Sequence, residues 1–151
     1  MKLTFALALN EDGVFENKHF GDADTFAFYS ENNNEIQFVE QVSNHFKTSD
    51  KNAHGSVQKG KAVVSFLKEK SVNVLISKQF GKNIKIVNQY FIPVIINEST
   101  PDDVMSIIKK HKNWLKDELQ NREKDYMLFH IKNGIFKSKI TPSKNILKSL
   151  L

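Results

Sequence analysis

The stretch Asn10-Glu-Asp-Gly-Val-Phe-Glu-Asn-Lys-His-Phe-Gly-Asp-Ala-Asp-Thr-Phe-Ala-Phe-Tyr29 decides how the chain folds. Before it lies an apolar run, residues 2–9, which reads as a central strand covered on both faces. The stretch itself begins as a polar turn, passes through His19-Phe20-Gly21, and ends in a second strand. In that strand Phe26, Phe28 and Ser30 alternate with Thr25, Ala27 and Tyr29. A histidine held in a loop at the carboxyl end of a first strand is well placed to meet a ligand.

Working outward, residues 25–30 and 35–42 read as a hairpin, with Asn32-Asn33-Asn34 as its turn. Residues 43–60 are polar, without clear periodicity, and read as a long mobile loop carrying His45, His54, Gly55 and Gly60. A helix is expected over residues 59–70, where Val63, Phe66 and Leu67 share a face. A buried strand follows at 72–77, and a second helix at 81–91 with Ile84, Val87 and Phe91 inward. Pro93 is expected to stop that helix before a strand at 94–97. Thr100-Pro101-x-Asp103 then spells a helix start, with Thr100 as N-cap and Pro101 at the first helical position. The core face of this helix reads Val104, Ile107, Ile108, Trp114, Leu115 and Leu119.

This order predicts an α/β fold, one mixed sheet of five strands in the order 3-2-1-4-5 with helices on both faces. Right-handed crossovers place the 72–77 strand beside the first and the 94–97 strand outside it, with the hairpin on the other side. Residues 125–132 and 135–140 flank Asn133-Gly134, which suits a type I′ turn, so they form a C-terminal hairpin. Residues 142–151 read as a short terminal helix with Ile146, Leu147, Leu150 and Leu151 as apolar anchors. The organisation expected is an α/β domain over 1–110 and an extension over 111–151 packed on it.

The chain of 151 residues suits a single compact unit, and 40% hydrophobic residues argues against disorder. No apolar run approaches the roughly 18 residues of a membrane span. The opening turns polar at Asn10 with no small-residue cleavage site after it, so the protein is expected to be cytoplasmic and to avoid membranes. There is no cysteine, which excludes disulfides and thiolate ligation. Any metal or cluster has to be held by histidine, carboxylate or backbone, which favours a transient carrier over a permanent cluster protein. The net charge is +5, with Lys59, Lys61, Lys78, Lys82 and Lys85 flanking two loops. Solvated surface lysine is the ordinary reading, an anionic small ligand is compatible, and nucleic acid is not the expected partner.

Four places carry a family resemblance. They are Asp12-Gly13 with His19-Phe20-Gly21; Asp24-x-Phe26-x-x-Tyr29; His54-Gly55 running into Lys59-Gly60-Lys61-Ala62; and Val72-x-Val74-x-Ile76 with Phe80-Gly81 and Ile92-Pro93-Val94. Together, over residues 1–108, the chain resembles the dinitrogenase iron–molybdenum cofactor biosynthesis family, the NifX-like and NifB C-terminal-like domain. The resemblance implies a ribonuclease-H-like three-layer α/β/α arrangement. It also implies transient binding of an iron–molybdenum cofactor or an iron–sulfur precursor by a non-catalytic carrier or accessory protein.

On that footing His19 is the principal metal-ligand candidate, because neutral imidazole donates to iron and other transition metals. The alternative is a histidine that only braces its loop. His54, with Gly55, is the second ligand candidate, beside a helix N-terminus that favours anions; the alternative is a solvated loop histidine. Lys59, Gly60 and Lys61 add charge and backbone amides. Gly21 and Gly81 let the backbone approach closely, or serve simply as turn residues. His45, His111 and His130 have weaker support, His111 reading as a core-edge residue. Asp12, Asp22 and Asp24 raise the possibility of a magnesium site for phosphodiester chemistry. The apolar interiors of the strands speak against it, and Asp12 and Asp24 read as turn and cap positions. A competing class is a metal-free interaction or regulatory module, in which the extension forms a homodimer or meets a protein partner.

Overall fold

In the computed structural model the described residues are 2–47, 57–131 and 135–140. The strands are β1 (Thr4–Leu9), β2 (Thr25–Asn32), β3 (Glu35–Ser43), β4 (Val74–Ser77), β5 (Ile92–Ile96), β6 (Leu128–Ile131) and β7 (Ile135–Ser138). The helices are α1 (Val57–Glu69), α2 (Ile84–Val87) and α3 (Pro101–Asn121), and a 3-10 turn spans Phe20–Asp22.

All seven strands form one sheet in the order β3-β2-β1-β4-β5-β6-β7. From β1 through β4 and β5 to β6 the pairing is parallel, while β2 and β3 on one side and β7 on the other are antiparallel. The inner order 3-2-1-4-5 agrees with the sequence expectation. The strand count does not: the C-terminal hairpin is no appendage but the continuation of the sheet, because β6 pairs with β5 through Val94↔Phe129, Ile95↔His130 and Ile96↔Ile131.

Two cores explain why β1 is apolar on both faces. Leu3, Phe5, Leu7 and Leu9 point to one side, where α3 supplies Val104, Met105, Ile108, Leu115 and Leu119. Ala6 and Ala8 point to the other, where α1 supplies Val63, Val64 and Leu67 and α2 supplies Ile84 and Val87. On this second side the bulk comes from Phe20, Phe26, Phe80 and Phe91, all buried. Each such ring is worth roughly 1.5–3 kcal/mol of burial.

The turn of the first hairpin holds Asn33 and Asn34 at φ 53° and 68°, the left-handed pair that a two-residue turn between twisted strands requires. Thr100 caps α3 as expected, accepting from the Asp103 N–H at 3.3 Å. Three expectations need correction. The second helix is only one turn long, since buried Asn88 turns its side chain to the Tyr126 carbonyl (3.1 Å) at the point where the helix ends. Pro93 lies inside β5 rather than before it. The preceding Ile92 N–H donates to Asn73 O (2.9 Å) on the β4 side, so the proline nitrogen faces β6, whose pairing begins only at Val94. Trp114 is 46% exposed and not part of the core face of α3, which kinks at His111 (φ −124°). Asn133-Gly134 and the terminal helix expected over 142–151 lie outside the described residues.

Candidate functional site

Phe20 anchors the loop that leaves β1. Its ring is buried and stacks on Phe26 (5.0 Å between centroids) and Phe80 (5.7 Å). Its N–H donates to the Gln79 carbonyl at 3.0 Å, tying this loop to the one that leaves β4. A second latch comes from Asn44, just past β3. Its amide donates to the carbonyls of Gly21 (2.9 Å) and Ala23 (2.8 Å), and its Oδ1 accepts from Phe46 N–H (2.8 Å). Asn44 is buried, so the expected mobile loop over 43–60 is fixed at its start, and its last four residues form the first turn of α1.

With Phe20 pinned, His19 on one side and Gly21 and Asp22 on the other face a cavity of about 50 Å³ at the carboxyl ends of β1 and β4. Its remaining wall comes from Lys59, Gly60 and Val63 of α1 and from residues 80–84 with Val87. The lining mixes buried apolar residues, Phe20, Val63, Phe80, Ile84 and Val87, with a few polar ones. A space of this size holds a few water-sized groups.

Two glycines owe their identity to this packing. A Cβ on Gly81 would stand 2.5 Å from His19 Nδ1, so the imidazole lies directly against the Gly81 backbone. A Cβ on Gly60 would stand 2.8 Å from Asn83 Cγ, so α1 and the loop before α2 approach through that glycine. Gly21 has ordinary clearance, with Lys59 Cε 3.5 Å from the corresponding position.

Charge is arranged in pairs. Lys59 Nζ donates to Asp22 Oδ1, with the two side chains only 10% and 11% exposed. Outside the cavity Lys47 makes a matching pair with Asp24, whose carboxyl is held below the ordinary range chiefly by the Lys47 hydrogen bond. Asp12 is exposed in the turn after β1, its N–H donating to Asn10 Oδ1 at 2.9 Å. The three carboxylates thus serve different neighbours. Among the described residues no group of three histidines or carboxylates stands close enough to hold a metal ion.

Of the residues singled out in the sequence, His19, Gly21, Lys59, Gly60 and Gly81 all line this one cavity. His54 and Gly55 lie outside the described residues. His45 is exposed, and Lys61 is an exposed residue of α1. Sequence reasoning did not place Asp22, Lys82 and Asn83 in the site. Asn83 carries no signal of its own; Asp22 stood next to the His-Phe-Gly motif and read only as one of three clustered carboxylates.

Fold and cavity together define a small α/β protein with a cavity at the carboxyl edge of its parallel strands. A family model described as dinitrogenase iron-molybdenum cofactor matches residues 1–112, and the chain belongs to that family. Among solved structures, a Methanocaldococcus jannaschii protein provisionally named a dinitrogenase is similar in fold. The TM-score is 0.54 at 16% identity, covering 74% of this chain and 92% of that one. No curated protein matches the chain. The family points to a cofactor-binding role or an accessory role in cofactor biosynthesis. Strands β6 and β7 lie beyond the matched residues. No helix among the described residues is long and apolar enough to cross a membrane.

Proposed function

We propose that the protein is a cytoplasmic, non-catalytic carrier that transiently holds an anionic metal cluster, an iron–molybdenum cofactor or its iron–sulfur precursor, at the His19 cavity. The observation that carries this reading is the convergence of His19, Lys59, Gly60 and Gly81 from separate segments on one cavity. The donor set suits a preformed cluster better than a bare ion. One neutral imidazole can take a single open position on a cluster, whereas an ion needs several ligands at once. Lys59 and Lys82 in the cavity wall oppose the cluster's negative charge. The apolar part of the lining suits a sulfide face, which asks for few hydrogen bonds.

In this reading His19 is the principal ligand, and His54, beside Gly55, is a second. The cavity takes one edge of the cargo, with the remainder outside. Residues 1–110 carry the binding, and the extension that begins at residue 111 adds β6 and β7 to the same sheet.

Anaerobic titration with an iron–sulfur cofactor precursor, followed by visible absorption, tests the reading. Stoichiometric binding by the wild type, lost in His19→Ala without a change in melting temperature, is the expected result. No binding, or binding indifferent to His19, overturns it. A stability loss of several kcal/mol in His19→Ala would make the residue a brace for its loop.

A further inference from the structure

We propose that Asp22 competes with the incoming anion for the Lys59 ammonium, and so sets how tightly the cavity holds its cargo and how readily it releases it. The inference rests on the carrier reading above and adds a residue to it whose effect is opposite in sign to that of His19.

Both members of the Lys59–Asp22 pair line the cavity. Both side chains are about nine-tenths buried, so solvent screens them little. An anion entering the cavity meets an attractive ammonium and a repulsive carboxylate side by side. To gain the whole of Lys59 it has to draw the ammonium from Asp22. Drawing it away separates two opposite charges where solvent screens them little, and that separation weakens the anion's binding. Lys59 passes close to Gly21, its Cε 3.5 Å from where a Cβ on that glycine would stand.

The neighbouring pair provides an internal control. Lys47 and Asp24 have the same chemistry, yet Lys47 is 41% exposed and neither residue lines the cavity. Removing Asp24 should leave ligand binding alone.

Tetrathiomolybdate, a coloured dianion with sulfide faces, is the probe. Its dissociation constant and release rate are measured with the wild type, Asp22→Asn and Asp24→Asn. Asp22→Asn is expected to bind on the order of tenfold tighter and release more slowly, the fold-change falling between the Coulomb limits for water and for protein surroundings. Asp24→Asn is expected to match the wild type. Equal or weaker binding by Asp22→Asn, with the wild type binding normally, overturns the competition and leaves the carrier reading standing. Failure of the wild type to bind overturns both.

Should Asp22→Asn lose its cooperative thermal transition, the wild type alone decides. On saturation with tetrathiomolybdate the carboxyl carbon resonance of Asp22 is expected to shift while that of Asp24 stays in place. An unmoved Asp22 resonance at saturation contradicts the proposal.

Discussion

At the scale of single residues, Gly81 shows how the site is built. His19 occupies the space its side chain would need. Gly81→Ala is therefore expected to push the imidazole out of the cavity, costing about 1–3 kcal/mol of stability by overpacking. Ligand affinity should fall as far as in His19→Ala. A thermal melt and a binding titration on the same variant check both halves. Gly60→Ala differs, because it gains up to about 1 kcal/mol of helix propensity inside α1 while displacing Asn83. His19, Gly21, Lys59, Gly60 and Gly81 were legible as candidates from their placement in the motifs that carry the family resemblance. The contact of His19 with Gly81 was not, because it joins two loops far apart in the chain and no local pattern encodes it. Asp22 looked like one more carboxylate of the Asp12, Asp22, Asp24 cluster for the same reason: its partner Lys59 arrives from another element.

At the scale of elements, the loops of the site depend on side chains that read as filler. Asn44 sat in a polar stretch without periodicity, yet it holds two carbonyls of the His19 loop. Asn44→Ala leaves those carbonyls without this donor, and a loss of about 2 kcal/mol in chemical denaturation is expected, with weaker ligand binding. A different clasp ties the first hairpin to α3. Buried Glu31 accepts from the Leu3 N–H (3.3 Å) and from Lys112 (3.2 Å), and pairs with Lys116 (2.9 Å). Burial alone would raise its carboxyl pKa, but the Lys116, Leu3 and Lys112 hydrogen bonds outweigh it and hold the pKa below the ordinary value. A carboxyl with a lowered folded pKa stabilises the fold above its unfolded pKa, and that contribution fades as pH drops through the folded value. Glu31→Gln should therefore melt lower than the wild type at neutral pH. The gap should close as pH falls below about 4, the ordinary glutamate range. A gap that persists in acid would mean the clasp acts through packing and not through charge. The hairpin, the Thr100 cap and the first crossover helix were legible because each carries a local signal. The one-turn α2 was not, since its end depends on Asn88 reaching the segment before β6.

At the scale of the whole molecule, periodicity and crossover handedness sufficed for the inner strand order, because adjacent elements in the chain settle beside one another. They did not place the last hairpin, since nothing local says which sheet edge a hairpin will join. The structure spends buried residues on that junction. Leu128, Phe129 and Ile131 enter the two cores, and buried Glu118 of α3 accepts the Met127 N–H at 2.7 Å. Truncation after Asn121 should therefore strip the outer edge of β5 and uncover both cores. Loss of the cooperative melt is expected, and a truncated chain that melts like the full one would refute it. The Pro93 position fits the same geometry, tolerated because β6 begins just beyond it.

The central claim, that His19 meets the cargo, is tested most directly by pulsed electron paramagnetic resonance on the full chain loaded with a reduced iron–sulfur cofactor precursor. A strongly coupled imidazole nitrogen in the wild type that is lost in His19→Gln, whether or not a second coupling from His54 remains, is the predicted result. An unchanged set of nitrogen couplings in His19→Gln, or no nitrogen coupling in a wild-type protein that has bound the cluster, would contradict the account.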